Sequence, residues 1–169
     1  MVRTGTIVLM LVLATGCSAG NGSEPPAKNP NETMEAPETL RVVQISSEAP
    51  GQGPQGPLVI LSPSAAGLER ETGASVPSDA GGGTYLAAYW GEKPTGGYSL
   101  GARSARLEGD RVTVRLALEE PPPDAIVTQG LTYPYVVAVV LGLDPTGKDF
   151  LFVDQRGRRL DWPLRRVGG

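Results

Sequence analysis

One stretch in the second half of the chain alternates almost strictly between apolar and polar residues. In residues 111–118, RVTVRLAL, Val112 and Val114 fall on one face, while Arg111 and Thr113 fall on the other. Successive side chains of a strand point to opposite faces, so this pattern predicts a strand with one buried and one solvated face. Strands of this kind are typical of antiparallel sheets.

A second apolar stretch, Val136–Leu141, does not alternate, which predicts a central strand that is covered on both faces. Between these two stretches, the sequence EEPPPD at residues 119–124 interrupts the sheet, because Pro cannot donate to a strand ladder. Phe150–Val153 and residues 158–162 flank a turn-forming QRG sequence, and we predict a last hairpin there. Further strands are predicted at Leu40–Ser46, Leu58–Leu61, Thr84–Trp90 and Tyr98–Leu107.

A single helix is predicted between two of these strands. The sequence Ser62-Pro63-Ser64 resembles a helix start, and Gly73 is a suitable end. Elsewhere, turn-forming residues recur roughly every ten positions between short strands. The chain is therefore predicted to be mainly β, as an antiparallel β-sandwich or barrel-like sheet with one short helix.

The N-terminus predicts export from the cytoplasm. A positive start that includes Arg3 precedes the apolar run Ile7–Leu13, and small residues follow it. This run is much shorter than the roughly 20 residues that a membrane-spanning helix needs. Its length and flanks are typical of a cleaved secretion signal, and we assign residues 1–16 to a signal peptide.

Cys17 adds a lipid anchor to this prediction. The sequence Leu-Ala-Thr-Gly-Cys, which ends at Cys17, resembles the bacterial lipobox, in which the cysteine sulfur receives a diacylglyceryl group. Cys17 is the only cysteine, so it has no partner for a disulfide within one chain. We expect an exported protein, anchored by lipid to the cell membrane or outer membrane and facing outside the cytoplasm. An ordinary cleaved signal followed by a chance cysteine is the alternative.

Residues 17–39 are predicted to form a lipidated, flexible tether. They are rich in Pro, Asn and Glu and show no apolar period. Such a composition cannot bury enough surface to offset the entropy of ordering. Residues 40–169 are numerous enough for one domain with its own core, and we predict a single β-rich domain there.

The composition argues against catalysis. The chain has no histidine, and its only cysteine is the predicted lipidation site, so the usual nucleophile–base pairs have no members. No Asp or Glu cluster has the spacing of a metal-binding loop. We therefore expect no enzyme activity, no metal and no cofactor. No basic patch interleaves with aromatic residues, which argues against a nucleic-acid partner.

Positive charge is concentrated near the C-terminus. The whole chain has 15 Lys plus Arg and 18 Asp plus Glu, but residues 155–169 carry five arginines against one acidic residue. This segment is predicted either to contact anionic lipid or an acidic partner, or to be a solvated, Arg-rich strand and end. The arginines are Arg156, Arg158, Arg159, Arg165 and Arg166.

The stretch that most suggests a function is GEKPTGGYSL, residues 91–100. Pro94 suits an early turn position, and Gly96 and Gly97 permit positive φ and the close approach of another backbone. Large amphipathic rings stand on both sides, and such rings are enriched at binding hot spots. The stretch is predicted to be either a hairpin turn or a partner-facing loop. The candidate partner-binding residues are Trp90, Pro94, Thr95, Gly96, Gly97 and Tyr98.

The same stretch carries a family resemblance. WGEKPTGGYSL, followed by VTVRLALEEPPP and VTQGLTYPYVVAVV, resembles the C-terminal domain of the protease complex subunit PrcB family. The resemblance covers about residues 83–141. The role named for that family is a lipoprotein that associates with an exported serine protease and supports it. The resemblance therefore implies an accessory protein with such a partner.

A second resemblance points to a different function. The sequence PTGGY at Pro94–Tyr98 is similar to the Pro-Thr-Thr-Gly-Tyr loop of chagasin-like cysteine-protease inhibitors, with Gly96 where that family has Thr. Three functions stay open on these grounds. They are a lipid-anchored accessory protein that binds an exported protease or another envelope protein, a passive envelope domain with a structural turn, and a protease inhibitor.

Overall fold

Strands form most of the regular structure. The computed structural model describes residues 36–47 and 52–168, so the predicted signal peptide, Cys17 and most of the predicted tether lie outside the described residues. In chain order, the elements are β1 (Glu38–Leu40), β2 (Val42–Ser46), β3 (Leu58–Ser62), α1 (Ala65–Thr72), β4 (Gly83–Tyr89), β5 (Lys93–Thr95), β6 (Ser99–Glu108), β7 (Arg111–Glu119), β8 (Gln129–Thr132), β9 (Tyr135–Leu141), β10 (Asp149–Val153) and β11 (Leu164–Arg166).

These strands form two larger sheets and one small ribbon. The first sheet has the strand order β1-β6-β7-β10, and the second has the order β11-β3-β4-β9-β2. Strands β5 and β8 form the two-stranded ribbon. Neither sheet closes into a barrel in the described part of the chain. The prediction of a mainly β, sandwich-like fold with one short helix is confirmed.

The main core lies between the two sheets. Val112, Val114 and Leu116 of β7 are fully buried, and they belong to one cluster with Leu86 and Val140 of the second sheet. Positions 111, 113 and 115 of the same strand are exposed or half-buried, as the alternation predicted. Full burial of one such side chain contributes roughly 1.5–3 kcal/mol, so this layer is a main source of stability.

The second sheet is covered on both faces at its centre. All residues from Val136 to Val140 in β9 are buried, as expected for the stretch without alternation. Val137 and Val139 face away from the main core and join a second cluster, which includes Leu68 of α1. The helix therefore covers the outer face of this sheet.

The helix begins and ends where the sequence predicted. Ser64 is the N-cap, and its side-chain oxygen accepts a hydrogen bond from the Gly67 N–H at 3.1 Å. Gly73 ends the helix with a φ of 69°, a left-handed conformation that glycine adopts without a side-chain penalty.

Two strand pairs are parallel, which the antiparallel prediction did not include. Strand β10 pairs with β7, and β11 pairs with β3, both in parallel. The predicted last hairpin is wrong in its second arm. After Val153 the chain makes only an isolated antiparallel bridge to Arg159 and then continues to the second sheet. Leu160 and Trp162 pack against the main core on the way, so burial favours this path over a longer hairpin.

Asp154 holds the turn that follows β10. Its Oδ1 accepts hydrogen bonds from the backbone N–H groups of Arg156 and Arg158, each at 2.8 Å, and its Oδ2 accepts one from Arg158 Nε at 2.6 Å. Burial raises the pKa of this carboxyl, but the hydrogen bonds outweigh burial and hold the pKa of Asp154 below its ordinary value. The ionised carboxylate therefore stabilises the folded chain.

The arginines near the C-terminus are mostly engaged within the chain. Arg158, Arg159 and Arg165 each form an ion pair with an acidic side chain. Arg166 donates to two backbone carbonyl groups, at 3.1 and 2.6 Å. These contacts favour the interpretation of a solvated, Arg-rich strand and end over that of a free cationic patch.

The first strand begins slightly before the predicted domain boundary at residue 40. Glu38 and Thr39, which the sequence analysis assigned to the tether, lie in β1 and pair with Leu107 and Arg106 of β6. Backbone pairing at a sheet edge tolerates polar side chains, so their composition did not reveal the strand. Within residues 36–47 and 52–168, no helix has the length and apolar character needed to cross a membrane.

We predict that Asp154→Asn lowers the melting temperature at pH 7 and that the difference from wild type narrows below about pH 4. A carboxyl whose pKa is lower in the folded chain stabilises the fold above its unfolded pKa of about 3.9, and that stabilisation is lost as the pH falls through the folded pKa. Thermal unfolding between pH 7 and pH 3 measures both effects. Asp161→Asn is the matched control, because the Asp161 side chain is 79% exposed in its ion pair with Arg159. A gap of equal size at pH 7 and pH 3 would contradict the prediction.

Candidate functional site: two crossovers at one end of the sandwich

The candidate loop lies in one of three segments that pass between the sheets at the same end of the domain, and the third of these, residues 154–163, leads from β10 to β11. Residues 90–98, the first crossover, lead from β4 to β6, and residues 120–134, the second crossover, lead back from β7 to β9. Because β6 pairs with β7 and β4 pairs with β9, the crossovers leave from neighbouring strand ends. Of the two alternatives for this stretch, the hairpin turn is wrong, since β4 and β6 belong to different sheets.

Hydrogen bonds join the two crossovers to each other. Strand β5 in the first pairs antiparallel with β8 in the second. The Gly96 N–H donates to the Thr128 carbonyl oxygen at 2.9 Å, and Thr132 Oγ1 donates to the Thr95 carbonyl oxygen at 2.7 Å. The backbone of the PTGGY sequence is thus held in a small ribbon and is not a free loop.

Two aromatic rings and one lysine form the side-chain part of this surface. The rings of Trp90 and Tyr98 meet edge to face with centroids 5.6 Å apart. Lys93 Nζ lies 4.5 Å from the Trp90 ring centroid and 5.8 Å from that of Tyr98, within the range of cation–π attraction. Partial burial lowers the pKa of Lys93, and the negative charge of Glu120 opposes this shift.

The six candidate residues differ in exposure. Pro94 and Gly97 are exposed, whereas the other four are half-buried. Trp90 packs against the main core, so its ring serves the fold on one side. Tyr98 is half-buried, so part of its side chain faces solvent.

The two adjacent glycines have different roles. Gly97 has a φ of +85°, and a Cβ there would lie 2.8 Å from Pro121 Cβ and 3.0 Å from Val127 Cγ1 in the second crossover. A Cβ at Gly96 would lie 3.4 Å from its nearest neighbour, Thr128 Cβ, which is ordinary contact. Only Gly97 is thus required by both backbone conformation and close packing.

We predict that Gly97→Ala lowers the free energy of unfolding by about 1–3 kcal/mol, because strained backbone conformations cost this much and the new methyl group meets Pro121. Gly96→Ala is the matched control and should change the free energy by less than about 1 kcal/mol. Urea unfolding of both variants measures the difference. Equal losses in the two variants would show that the close approach at Gly97 is not specific.

The sequence analysis did not identify the second crossover as part of the site. It treated residues 119–124 only as a break in the sheet. Yet Ile126 is fully exposed and Leu131 is 61% exposed, and both lie beside the PTGGY ribbon segment. The sequence did contain a signal, which is that large apolar residues stand singly within a Pro-rich, polar segment. Such residues do not stabilise the core if they stay in solvent, so their presence can indicate a contact surface.

The chemistry of the surface suits non-covalent binding. A cleft of about 370 Å³ borders Trp90, and its charged lining residues are Glu120, Asp154, Arg156 and Arg158. Asp154 and Arg158 neutralise each other by direct contact. Among the described residues, no group of three acidic, histidine or cysteine side chains comes close enough to hold a metal ion.

The fold and this site define a sandwich-like β domain with two hydrogen-bonded crossovers at one end. Residues 84–140 match the model of the family described as PrcB C-terminal, and this match confirms the resemblance predicted over residues 83–141. It covers less than half of the chain, from β4 to β9, and includes both crossovers. No curated protein and no solved structure was found to match the chain.

Proposed function

We propose that this chain is a lipid-anchored accessory protein of the cell envelope, which binds an exported protease through the surface formed by the two crossovers. The family match supports a relation to protease-complex proteins in general. The observation that carries the finer proposal is that the matched segment contains both crossovers and the ribbon between them.

The point at which the chain enters β1 supports the view that this surface faces away from the membrane anchor. Strand β1 starts at Glu38, which pairs with Leu107 near one end of β6, whereas Tyr98 adjoins the other end of β6 at Ser99. The ten residues of β6 span roughly 30 Å at about 3.4 Å per residue. A protein anchored through its N-terminus would thus hold the crossovers at the end away from the attachment point.

The predicted tether also has sufficient reach. Without the two residues that lie in β1, it has 21 residues, 17–37, which could extend up to roughly 70 Å if fully stretched, and a flexible chain of this length has an average span of roughly 25 Å. A surface on the far end of the domain could therefore meet a partner in the envelope over a broad range of heights.

The surface has the properties of a pre-organised binding site. Its backbone is fixed by the ribbon, so a partner would not bear the cost of ordering a free loop. Trp90 and Tyr98 are of the residue types that carry binding energy at interfaces. The exposed side of Tyr98 and the exposed Pro94 give a partner apolar contact at this end.

One observation favours a passive structural domain as the second candidate. Gly97 fits tightly against Pro121 and Val127, and this packing alone would account for the PTGGY sequence. A chagasin-like inhibitor is favoured less, because insertion into a protease cleft calls for a projecting loop, and Thr95 and Gly96 are tied to the second crossover.

The test is capture from intact envelopes with two charge-matched variants of the full chain. Pro94→Asp places a carboxylate on the exposed first crossover, and Thr146→Asp places one on an exposed turn outside both crossovers. We expect wild type and Thr146→Asp to retain an exported protease, and Pro94→Asp to lose it. Adding a Cys17→Ser form tests the anchor, since this form should leave the membrane fraction.

Equal retention by all folded variants would contradict the binding surface, and retention of no protease by wild type would favour the passive domain. Activity of the captured protease, measured with and without the bound chain, separates support from inhibition. Circular dichroism of Pro94→Asp confirms that a loss of capture does not come from unfolding.

A further inference from the structure

Two large apolar side chains are left in solvent on the second crossover. The described part of the chain exposes three large hydrophobic residues, and two of them, Ile126 and Leu131, lie on this segment. The third, Leu164, lies on β11 and is only 37% exposed. Ile126 lies three residues before β8 and Leu131 lies within it, so the two exposed apolar side chains are grouped on one short segment, as is expected of a contact site.

Strand β8, which contains Leu131, has a free edge. Strand β8 pairs with β5, and the ribbon contains no other strand among the described residues. All but one of the β8 residues are exposed. Isolated two-stranded ribbons are only marginally stable, and an unpaired strand edge offers N–H and C=O groups that another strand can use.

The charge of the second crossover itself has one sign, although Lys93 of the paired strand and Arg156 and Arg158 of residues 154–163 lie near its start. Residues 116–147 contain no Lys or Arg, Glu119 is the last residue of β7, and Glu120 and Asp124 lie in the first part of the second crossover. Glu119 pairs with Arg103 at 3.2 Å, and Glu120 lies near Lys93. Asp124, two residues before Ile126, has no hydrogen bond or ion pair with any described residue. Its carboxylate is therefore free to form an ion pair with a cationic group of a partner.

We propose that the free edge of β8 pairs with an extended segment of the partner protein, one that alternates apolar side chains and carries Lys or Arg near Asp124. This inference rests on the proposed function and specifies how the partner is held. Main-chain hydrogen bonds along β8 supply the affinity, and Ile126 and Leu131 receive the apolar side chains. The carboxylates select a basic segment through complementary charge.

The charge also argues against two other occupants. The part of the predicted tether that precedes β1, residues 17–37, carries Glu24, Glu32 and Glu35 against a single Lys28, so it shares the sign of the second crossover, which it would have to cover. A second copy that paired β8 with β8 would bring two acidic crossovers together. Like charges across such a contact oppose association.

The probe is a short synthetic peptide in which valine alternates with threonine between flanking lysines, added to the purified full-length chain. Two control peptides have the same apolar pattern. One carries glutamate in place of lysine, and the other is N-methylated at alternate positions, so that one backbone edge cannot donate. Affinity is measured by calorimetry, and the contact is located by hydrogen–deuterium exchange of the Gln129–Thr132 amides.

We expect the lysine peptide to bind and to slow exchange of the outward-facing β8 amides. The glutamate peptide should bind at least about tenfold more weakly, because its negative charges repel the carboxylates of the second crossover. The N-methylated peptide should lose the protection. In the protein, Leu131→Ser and Ile126→Ser should weaken binding, whereas Leu164→Ser, on β11 at the opposite edge of the second sheet from β2, should not. Both crossover side chains are exposed, so these variants keep the core intact.

Absence of binding by the lysine peptide, or binding without protection of β8, would overturn the inference. So would equal affinity for all three peptides. Sedimentation of the full chain gives a further contrary outcome, because a dimer that Leu131→Ser dissociates would identify a second copy as the occupant. If protease capture depends on Pro94 while the peptide fails to protect β8, the proposed function stands and this inference fails. If the peptide protects β8 but no protease is captured, this mode of strand pairing stands and the proposed function fails.

Discussion

The structure depends on one topological constraint, which is that the chain passes between the two sheets three times at the same end, and two of these passages connect neighbouring strands. Strands β4 and β9 are neighbours in the second sheet, and β6 and β7 are neighbours in the first. The segments that connect them therefore run side by side and satisfy part of their backbone polarity by pairing with each other. This pairing turns two long connections into a defined surface.

The surface formed by the two crossovers is held against the main core, and it covers part of that core. Trp90 is half-buried against the apolar layer between the sheets. Its backbone N–H donates a hydrogen bond to the Pro134 carbonyl oxygen at 2.9 Å, which links the two crossovers at their ends. Gly97 lets the crossovers approach each other closely. The residues that look like a binding motif are thus partly structural, and function is left to their exposed sides and to the edge of β8.

Features that are encoded locally could be predicted from the sequence. The alternation in residues 111–118 predicted one buried and one solvated face of β7, and the apolar run in β9 predicted a strand covered on both faces. Ser64 and Gly73 marked the ends of the helix. These signals depend on neighbours a few residues away. The alternation is a property of one strand, and it does not specify which strand will lie beside it.

Features that depend on distant neighbours could not be predicted in this way. The parallel position of β10 and β11 follows from which sheet edges are open. The difference between Gly96 and Gly97 depends on Pro121 and Val127, which reach them only in the folded chain. For the same reason the candidate site was placed in the first crossover alone, although the exposed apolar residues lie in the second.

The most direct test of the account is site-specific photo-crosslinking in intact cells. A photoreactive phenylalanine analogue is placed singly at position 126 in the second crossover or at position 146, an exposed turn outside both crossovers. We expect position 126 to form a covalent adduct with an exported protease and position 146 to form none. Adducts of equal yield from both positions, or none from position 126 in a folded and exported chain, would contradict the claim that the crossovers are the binding surface.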